Sequence, residues 1–326
     1  MATLTQIPAQ EAAENHRLRI GVSFGLVYFF WGSTYLAILI AVRHFPAPVL
    51  GALRFLISGS LMLGWCAFSG KRVSVSRGDF LRLLLIGVLL LVGGNTVLAW
   101  AEESINSGLA AMIVAVVPIW IALIEALFGG DRLNRLGWMG LLLGIGGLFV
   151  LLWPDITNGS AIGGRDLLAS VGLMLGSLSW AVGSVLSRRF KLGVGPFAAT
   201  GWEMTLAGAA NAVVAFSIGD FHHADWSRTG WLAVGYLVTF GSLVGFTAYI
   251  WLLEHVPTPK VATYAYVNPV VAVFLGWLIR GEHIDRYILL GMAIIVAAVI
   301  LVTRSKLSSQ TLRGSQQVSA CEAGAD

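Results

Sequence analysis

Residues 20–39 read IGVSFGLVYFFWGSTYLAIL, and residues 171–190 read VGLMLGSLSWAVGSVLSRRF. Laid over each other at an offset of 151, Gly21, Gly25, Gly32 and Ser33 fall on Gly172, Gly176, Gly183 and Ser184. The same offset carries Gly94 to Gly245, Glu103 to Glu254 and Pro118 to Pro269. It also carries Gly130, Arg135 and Gly140 to Gly281, Arg286 and Gly291. Matches that run through both halves without a gap make the chain one unit used twice.

That unit is apolar. Hydrophobic residues make up 57% of the chain and charged residues 12%, with a mean hydropathy of +0.80. A soluble domain carries about 25% charged residues, so the lipid bilayer is the expected solvent and partner of this chain. The net charge of +4 does not point to nucleic acid, because no basic run is interleaved with aromatics. Cys66 lies in an apolar stretch and Cys321 in a polar tail, so no structural disulfide is expected.

Ten apolar segments can be read: 20–42, 47–69, 80–101, 107–128, 134–153, 166–188, 196–218, 229–252, 259–279 and 285–303. Pro46 and Pro48 open the second, and Thr258-Pro259 reads as N-cap and first-turn proline of the ninth. Ser107-Gly108 holds the corresponding place one copy earlier. The copies occupy 20–153 and 166–303, and the polar tails 1–19 and 304–326 are expected to be disordered. Of the 21 Lys and Arg residues, 15 fall on the side that carries both termini and 5 on the other, with Arg54 inside a span. Lys and Arg gather in cytoplasmic loops, so both termini are expected in the cytoplasm. Five spans per copy is an odd number, so the second copy enters the membrane from the opposite side. The expected fold is an all-α membrane protein of ten transmembrane helices arranged as two inverted five-helix repeats. Alternating-access transporters recurrently use that plan.

Trp31-Gly32-Ser33-Thr34-Tyr35 resembles the start of EamA-type drug/metabolite transporters, and so does Ala52-Leu53-Arg54-Phe55 in the second span. The run Tyr264-Ala265-Tyr266-Val267-Asn268-Pro269, with Gly281-Glu282 after it, resembles the C-terminal copy of that family's domain, the YedA-like bacterial branch in particular. In the first copy the family's Gly-Glu pair reads Gly130-Asp131. The resemblance covers about residues 20–303. It implies ten helices with cytoplasmic ends, a bacterial inner-membrane location, and export of amino acids or other small metabolites.

Polar groups inside a span are costly and mark a cavity or a partner. Arg54 reads either as an anchor for a substrate carboxylate or as a snorkelling or structurally paired cation. Glu203, within two positions of the repeat equivalent of Arg54, reads either as a protonatable coupling group or as a structural one. Tyr264 and Asn268 lie four apart on one face, with Tyr266 nearby, and replace Ile113, Val117 and Ala115 of the first copy. Polarity added to one copy suits an asymmetric ligand better than scaffold symmetry, with interhelical hydrogen bonding as the alternative. Trp31, Ser33, Thr34 and Tyr35 of the first span, Asn95 of the third, and Trp180 and Ser184 of the sixth have the composition of a small-molecule pocket and also of ordinary helix contacts. Pro118 and Pro269 are expected to kink the fourth and ninth spans and to free the carbonyls of Val114 and Ala265. Glu102, Glu103, Glu125 and Glu254 read as carboxylates at helix ends.

Enzymatic signals are weak. There is no phosphate-binding G-x-x-x-x-G-K-[ST] and no H-E-x-x-H. His222-His223, beside Asp220 and Asp225, reads as a solvated loop, so neither a metal nor a cofactor is expected. The strips Gly21-x-x-x-Gly25 and Gly172-x-x-x-Gly176 suit close packing within one molecule, leaving monomer or homodimer open. The function these features support is secondary-active export of a small metabolite, with a lipid or lipid-carrier flippase on the same architecture as the alternative.

Overall fold

The computed structural model describes residues 7–105, 110, 113–128, 133–151, 153, 164–280 and 286–305. The pairs Ser107-Gly108, Gly130-Asp131 and Gly281-Glu282, together with Cys321, lie outside the described residues. Ten main helices fall at the ten expected places. They are α1 (Ile7–Ala41), α2 (Ala47–Phe68), α3 (Arg77–Glu102), α4 (Val117–Leu127), α5 (Arg135–Leu151), α6 (Gly164–Arg189), α7 (Pro196–Ser217), α8 (Arg228–His255), α9 (Tyr264–Arg280) and α10 (Arg286–Arg304). Five of them, α1, α2, α3, α6 and α8, contain stretches long and apolar enough to cross a bilayer unaided. The apolar segments of α4, α5 and α10 are shorter.

Local chemistry repeats along with the sequence. Ser76 Oγ accepts from the Asp79 amide at the start of α3, and Ser227 Oγ accepts from the Gly230 amide at the start of α8. These N-caps are 151 residues apart and supply orphan first-turn donors with an acceptor. Proline in the first turn starts both α2 and α7, where its missing amide costs nothing. At the end of α2, Gly70 takes a left-handed φ of 67°, and the Lys71 amide closes back on the Cys66 carbonyl at 2.9 Å. Gly219, with φ of 77°, follows α7 in the same way.

Three local expectations change. α1 begins at Ile7, inside the stretch expected as a disordered tail. Its Ala, Glu, Gln and Arg residues favour helix, and His16 is held 5.7 Å from the His255 ring and 6.3 Å from that of Trp251. Thr258 does not cap the ninth span: Pro257 stands at the cap of a short helix Thr258–Val261, and the Thr258 hydroxyl is used elsewhere. Pro118 stands in the first turn of α4, after a break at Ala115 and Val116, so the chain is interrupted there rather than bent. Pro269, in contrast, lies inside α9.

Helix pairing follows the duplication. α2 packs on its own repeat equivalent α7, and α5 on its equivalent α10. α1 packs on α8 and α9, as α6 packs on α3 and α4. Exchange of the two copies maps this set of contacts onto itself, which is the signature of a two-fold relation. Close approaches give the direction. Along α2, Gly51, Leu56 and Leu63 meet Asn211, Gly208 and Gly201 of α7 in turn. Along α5, Gly137, Gly140 and Gly147 meet Ser305, Val302 and Ile295. Rising numbers on one helix meet falling numbers on the other, so equivalent helices run antiparallel and the halves are inverted. A Cβ on Gly208 would sit 2.6 Å from the Leu56 amide nitrogen, so glycine is what lets the two helices touch. In lipid, such close packing and hydrogen bonding take over the role that apolar burial has in water. Outward faces are correspondingly apolar, with Leu142, Val213, Phe216 and Leu232 all more than half exposed.

Candidate functional site

α3 and α8 are not regular throughout. Each opens into a π-helix, Val88–Thr96 in α3 and Leu237–Phe246 in α8, at nearly equivalent positions. Wide turns of this kind shift the side-chain register and are frequent at functional sites. Here they deliver Asn95 and Ser242 to the same side chain. Arg54 of α2, 4% exposed, donates from Nε to Ser242 Oγ at 2.9 Å and from Nη1 to Asn95 Oδ1 at 3.0 Å. Its guanidinium lies against the Gly241 backbone. Among the described residues no carboxylate comes within 4.0 Å of it. A buried cation is thus held by neutral partners alone.

Arg54 forms part of the wall of a cavity between α1, α2, α3, α4, α6 and α9, with an empty volume of about 580 Å³ including its mouth. Trp31, Thr34, Asn95, Trp180, Tyr264 and Asn268 share the wall, so the structure gathers these expected residues around Arg54. Val114 and Val117, on either side of the chain break before α4, line it as well. A broken helix is tolerated at such a place because its backbone faces a cavity rather than lipid.

The aromatic residues form a packed floor. The Trp31 ring lies 4.9 Å from Tyr264 and 5.5 Å from Trp180, and Tyr249 packs beneath both tryptophans. Both indole donors are spent on the scaffold: Trp31 Nε1 donates to the Gly241 carbonyl and Trp180 Nε1 to Tyr249 Oη. The Thr34 hydroxyl donates to the Trp31 carbonyl. Asn268 differs, since it is 2% exposed and its Oδ1 has no hydrogen-bond partner. The cavity wall therefore carries apolar ring faces and a cation, with an unpartnered acceptor, Asn268 Oδ1, buried in it.

Four expected residues lie elsewhere. Ser33 bonds the Phe30 carbonyl and the Tyr236 hydroxyl, away from the cavity wall. Ser184 bonds the Trp180 carbonyl and Tyr249 Oη, below the floor. Tyr266 is two residues from Asn268 on the opposite side of α9, and its hydroxyl donates to the Leu141 carbonyl of α5. Glu203 is 1% exposed, with Oε2 unpartnered, and it lies beside the close crossing of α7 over Gly87 rather than on the cavity wall.

The side of the cavity toward the chain termini is closed. Glu125 of α4, 3% exposed at its side chain, pairs with Arg189 of α6 at 2.8 Å and accepts from the Thr258 hydroxyl at 3.3 Å. Arg188 donates to the Val256 carbonyl at 3.0 Å, and the hydroxyls of Tyr28 and Thr263 meet at 2.7 Å. Glu125, read from sequence as an interfacial carboxylate, is instead buried and joins three segments. The cavity-lining positions of α1 and α3 lie in the C-terminal halves of those helices, and those of α6 about its middle. In this state the cavity therefore extends toward the side opposite the termini.

Sequence reading missed Ser242, Tyr249 and the burial of Glu102. Each has an apolar repeat mate: Leu91, Leu98 and Leu253. The one-copy polarity that singled out Asn268 marks all three.

With this geometry in place, relatives agree with it. The EamA-like transporter family model matches residues 19–153 and again 167–304. The chain is 38% identical over 287 residues to the uncharacterized inner membrane transporter YedA of Escherichia coli (strain K12), covering 88% of this chain and 90% of that one. It is 26% identical to the uncharacterized transporter sll0355 of Synechocystis sp., covering 93% and 95%. It is 24% identical to the WAT1-related protein At3g02690, chloroplastic, of Arabidopsis thaliana, covering 84% of this chain and 67% of that one. One protein crystal structure shares the fold with a TM-score of 0.73 at 20% identity, over 87% of this chain and 96% of its own. A duplicated domain match, an extended relative and an inverted helical fold converge, and the chain belongs to the EamA-like transporter family.

Proposed function

We propose that the chain is a secondary-active transporter of the bacterial inner membrane that exports amino acids or related small carboxylated metabolites by alternating access. Both termini face the cytoplasm. The observation that carries this reading is Arg54, a buried guanidinium with neutral partners only among the described residues, on the wall of the cavity. A buried charge is stable when it is paired, and a cargo carboxylate entering the cavity supplies the missing anion. The ring faces of Trp31, Trp180 and Tyr264 take its apolar body. The open Asn268 Oδ1 accepts from an amino group. The inverted halves then rock around this site, breaking the closure at Glu125 and forming another on the opposite side.

The test is efflux from liposomes that contain the purified chain and are loaded with labelled amino acids, amines or aromatic metabolites. The wild type is expected to release carboxylated compounds and to leave simple amines inside. Arg54→Gln is expected to raise KM by roughly 10- to 100-fold, the equivalent of one charge-assisted hydrogen-bond set. Absence of flux for every compound, or unchanged kinetics in Arg54→Gln, rejects the reading.

A further inference from the structure

Glu102 ends α3, at a place where sequence leaves a carboxylate to solvent or to helix capping. In the folded chain it is 4% exposed, and neither Oε1 nor Oε2 has a hydrogen-bond partner. Among the described residues no Lys, Arg or His lies within 4.0 Å of it. An unpaired buried carboxylate is costly as an anion, so it is held neutral by a proton or waits for a cation.

The groups that face it are few. From α1 comes Tyr35, a cavity-lining residue whose phenol is near enough to Glu102 to feel its charge but not within hydrogen-bond distance of it. From α2 the single charged residue is Arg54, committed to Ser242 and Asn95. The charged side chains described on α6, Arg188 and Arg189, stand in its last turn, at the opposite end. On its own helix Glu103 turns to the Ala47 amide, while Leu98, one turn earlier on the Glu102 face, lines the cavity. Glu102 thus sits one helical turn beyond a cavity-lining residue, on the same face of α3.

Packing does not call for this arrangement. The repeat mates of Glu102, Tyr35 and Asn268 are Leu253, Leu186 and Val117, and Leu253 and Val117 are as fully buried as the residues they mirror. The scaffold accepts apolar side chains at the equivalent places, so the polar trio is an addition to one half only.

We propose that Glu102 is a proton-carrying residue of the transport cycle, loaded and unloaded by water that enters from the cavity. This rests on the transport reading above. A hydronium ion that reaches Glu102 gives its proton to a carboxylate oxygen; one water remains, and the carboxylate has become a neutral acid. Discharge is the reverse step, taken once the cavity faces the other side. Among the described residues Glu203 is the other buried carboxylate with an unpartnered oxygen, and it serves as the internal control.

The experiment uses the full chain in liposomes, treated with dicyclohexylcarbodiimide, an apolar reagent that modifies protonated carboxyl groups. Adducts are located by peptide mass. Glu102 is expected to be modified, with the yield falling at least about fivefold between about pH 6 and about pH 9. In parallel, efflux of an equimolar mixture of the twenty amino acids is measured with and without a pH gradient. The ratio of the two is expected to fall to unity in Glu102→Gln and to stay at the wild-type value in Glu203→Gln. No adduct at Glu102 across that pH range, or a wild-type ratio in Glu102→Gln, overturns the proposal. If the wild type moves none of the twenty, the transport reading fails by itself, and the carbodiimide profile alone decides whether Glu102 carries a proton.

Discussion

Asn268 and Tyr266 lie two residues apart on one helix, and both are buried and polar. Asn268 lines the cavity, and its buried Oδ1 has no partner among the described residues. Tyr266 turns to the Leu141 carbonyl and fastens α9 to α5. Their substitutions therefore part company. Asn268→Val copies the residue of the other half, so the fold is expected to survive while the KM for amino-acid cargo rises about tenfold, one hydrogen bond in a dry site. Tyr266→Phe is expected to leave KM unchanged and to lower stability by about 1 kcal/mol. Efflux kinetics and thermal melting of the purified variants separate the two. Both residues were legible in sequence as polarity added to one copy. Which of them meets a ligand was not, because helical phase around a proline is settled by packing.

The elements that build the site are the irregular ones. α4 starts after a break, α9 contains a proline, and α3 and α8 widen into π-helices where Arg54 finds its partners. Proline made two of these visible in sequence. The π-helices carry no such mark, since their Val, Leu and Gly residues also suit a regular apolar helix. α4, α6 and the short helix before α9 are tied together by Glu125, Arg189 and Thr258. The carboxylate is buried, so breaking this pair costs more than a surface ion pair would. Glu125→Gln is expected to loosen the closure on the terminus side. The check is a cysteine at Thr258, with Cys66 and Cys321 replaced. A membrane-impermeant thiol reagent on that side should modify it several-fold faster in the Glu125→Gln background, as expected when one of two balanced states is weakened by about 1 kcal/mol. Equal rates would remove Glu125 from the gate.

For the whole molecule, antiparallel pairing of α2 with α7 and of α5 with α10 makes the two halves exchangeable. Such a body can present one site to either side by swapping the conformations of its halves. The gate is not symmetric, however. The repeat mates of Glu125, Arg189 and Thr258 are Gly276, Ile38 and Ser107, so the opposite closure does not repeat this ion pair. Orientation is tested with single cysteines at Ala224, in the loop before α8, and at Ser74, in the loop before α3. An impermeant reagent outside intact cells should label the first and spare the second. The reverse pattern would invert the proposed direction of export.

Composition, period and charge are properties of a chain as written. They were enough to determine a duplicated, lipid-dwelling helical fold, because hydrophobicity and the parity of spans act without reference to distant contacts. Arg54, Asn95 and Asn268 could be marked as unusual on the same grounds. That Arg54 meets no counter-charge among the described residues, that Tyr266 is structural, and that Glu102 is buried were decided only by the tertiary structure. Each of these depends on which helix faces which, and side chains far apart in sequence set that facing when the two halves pack.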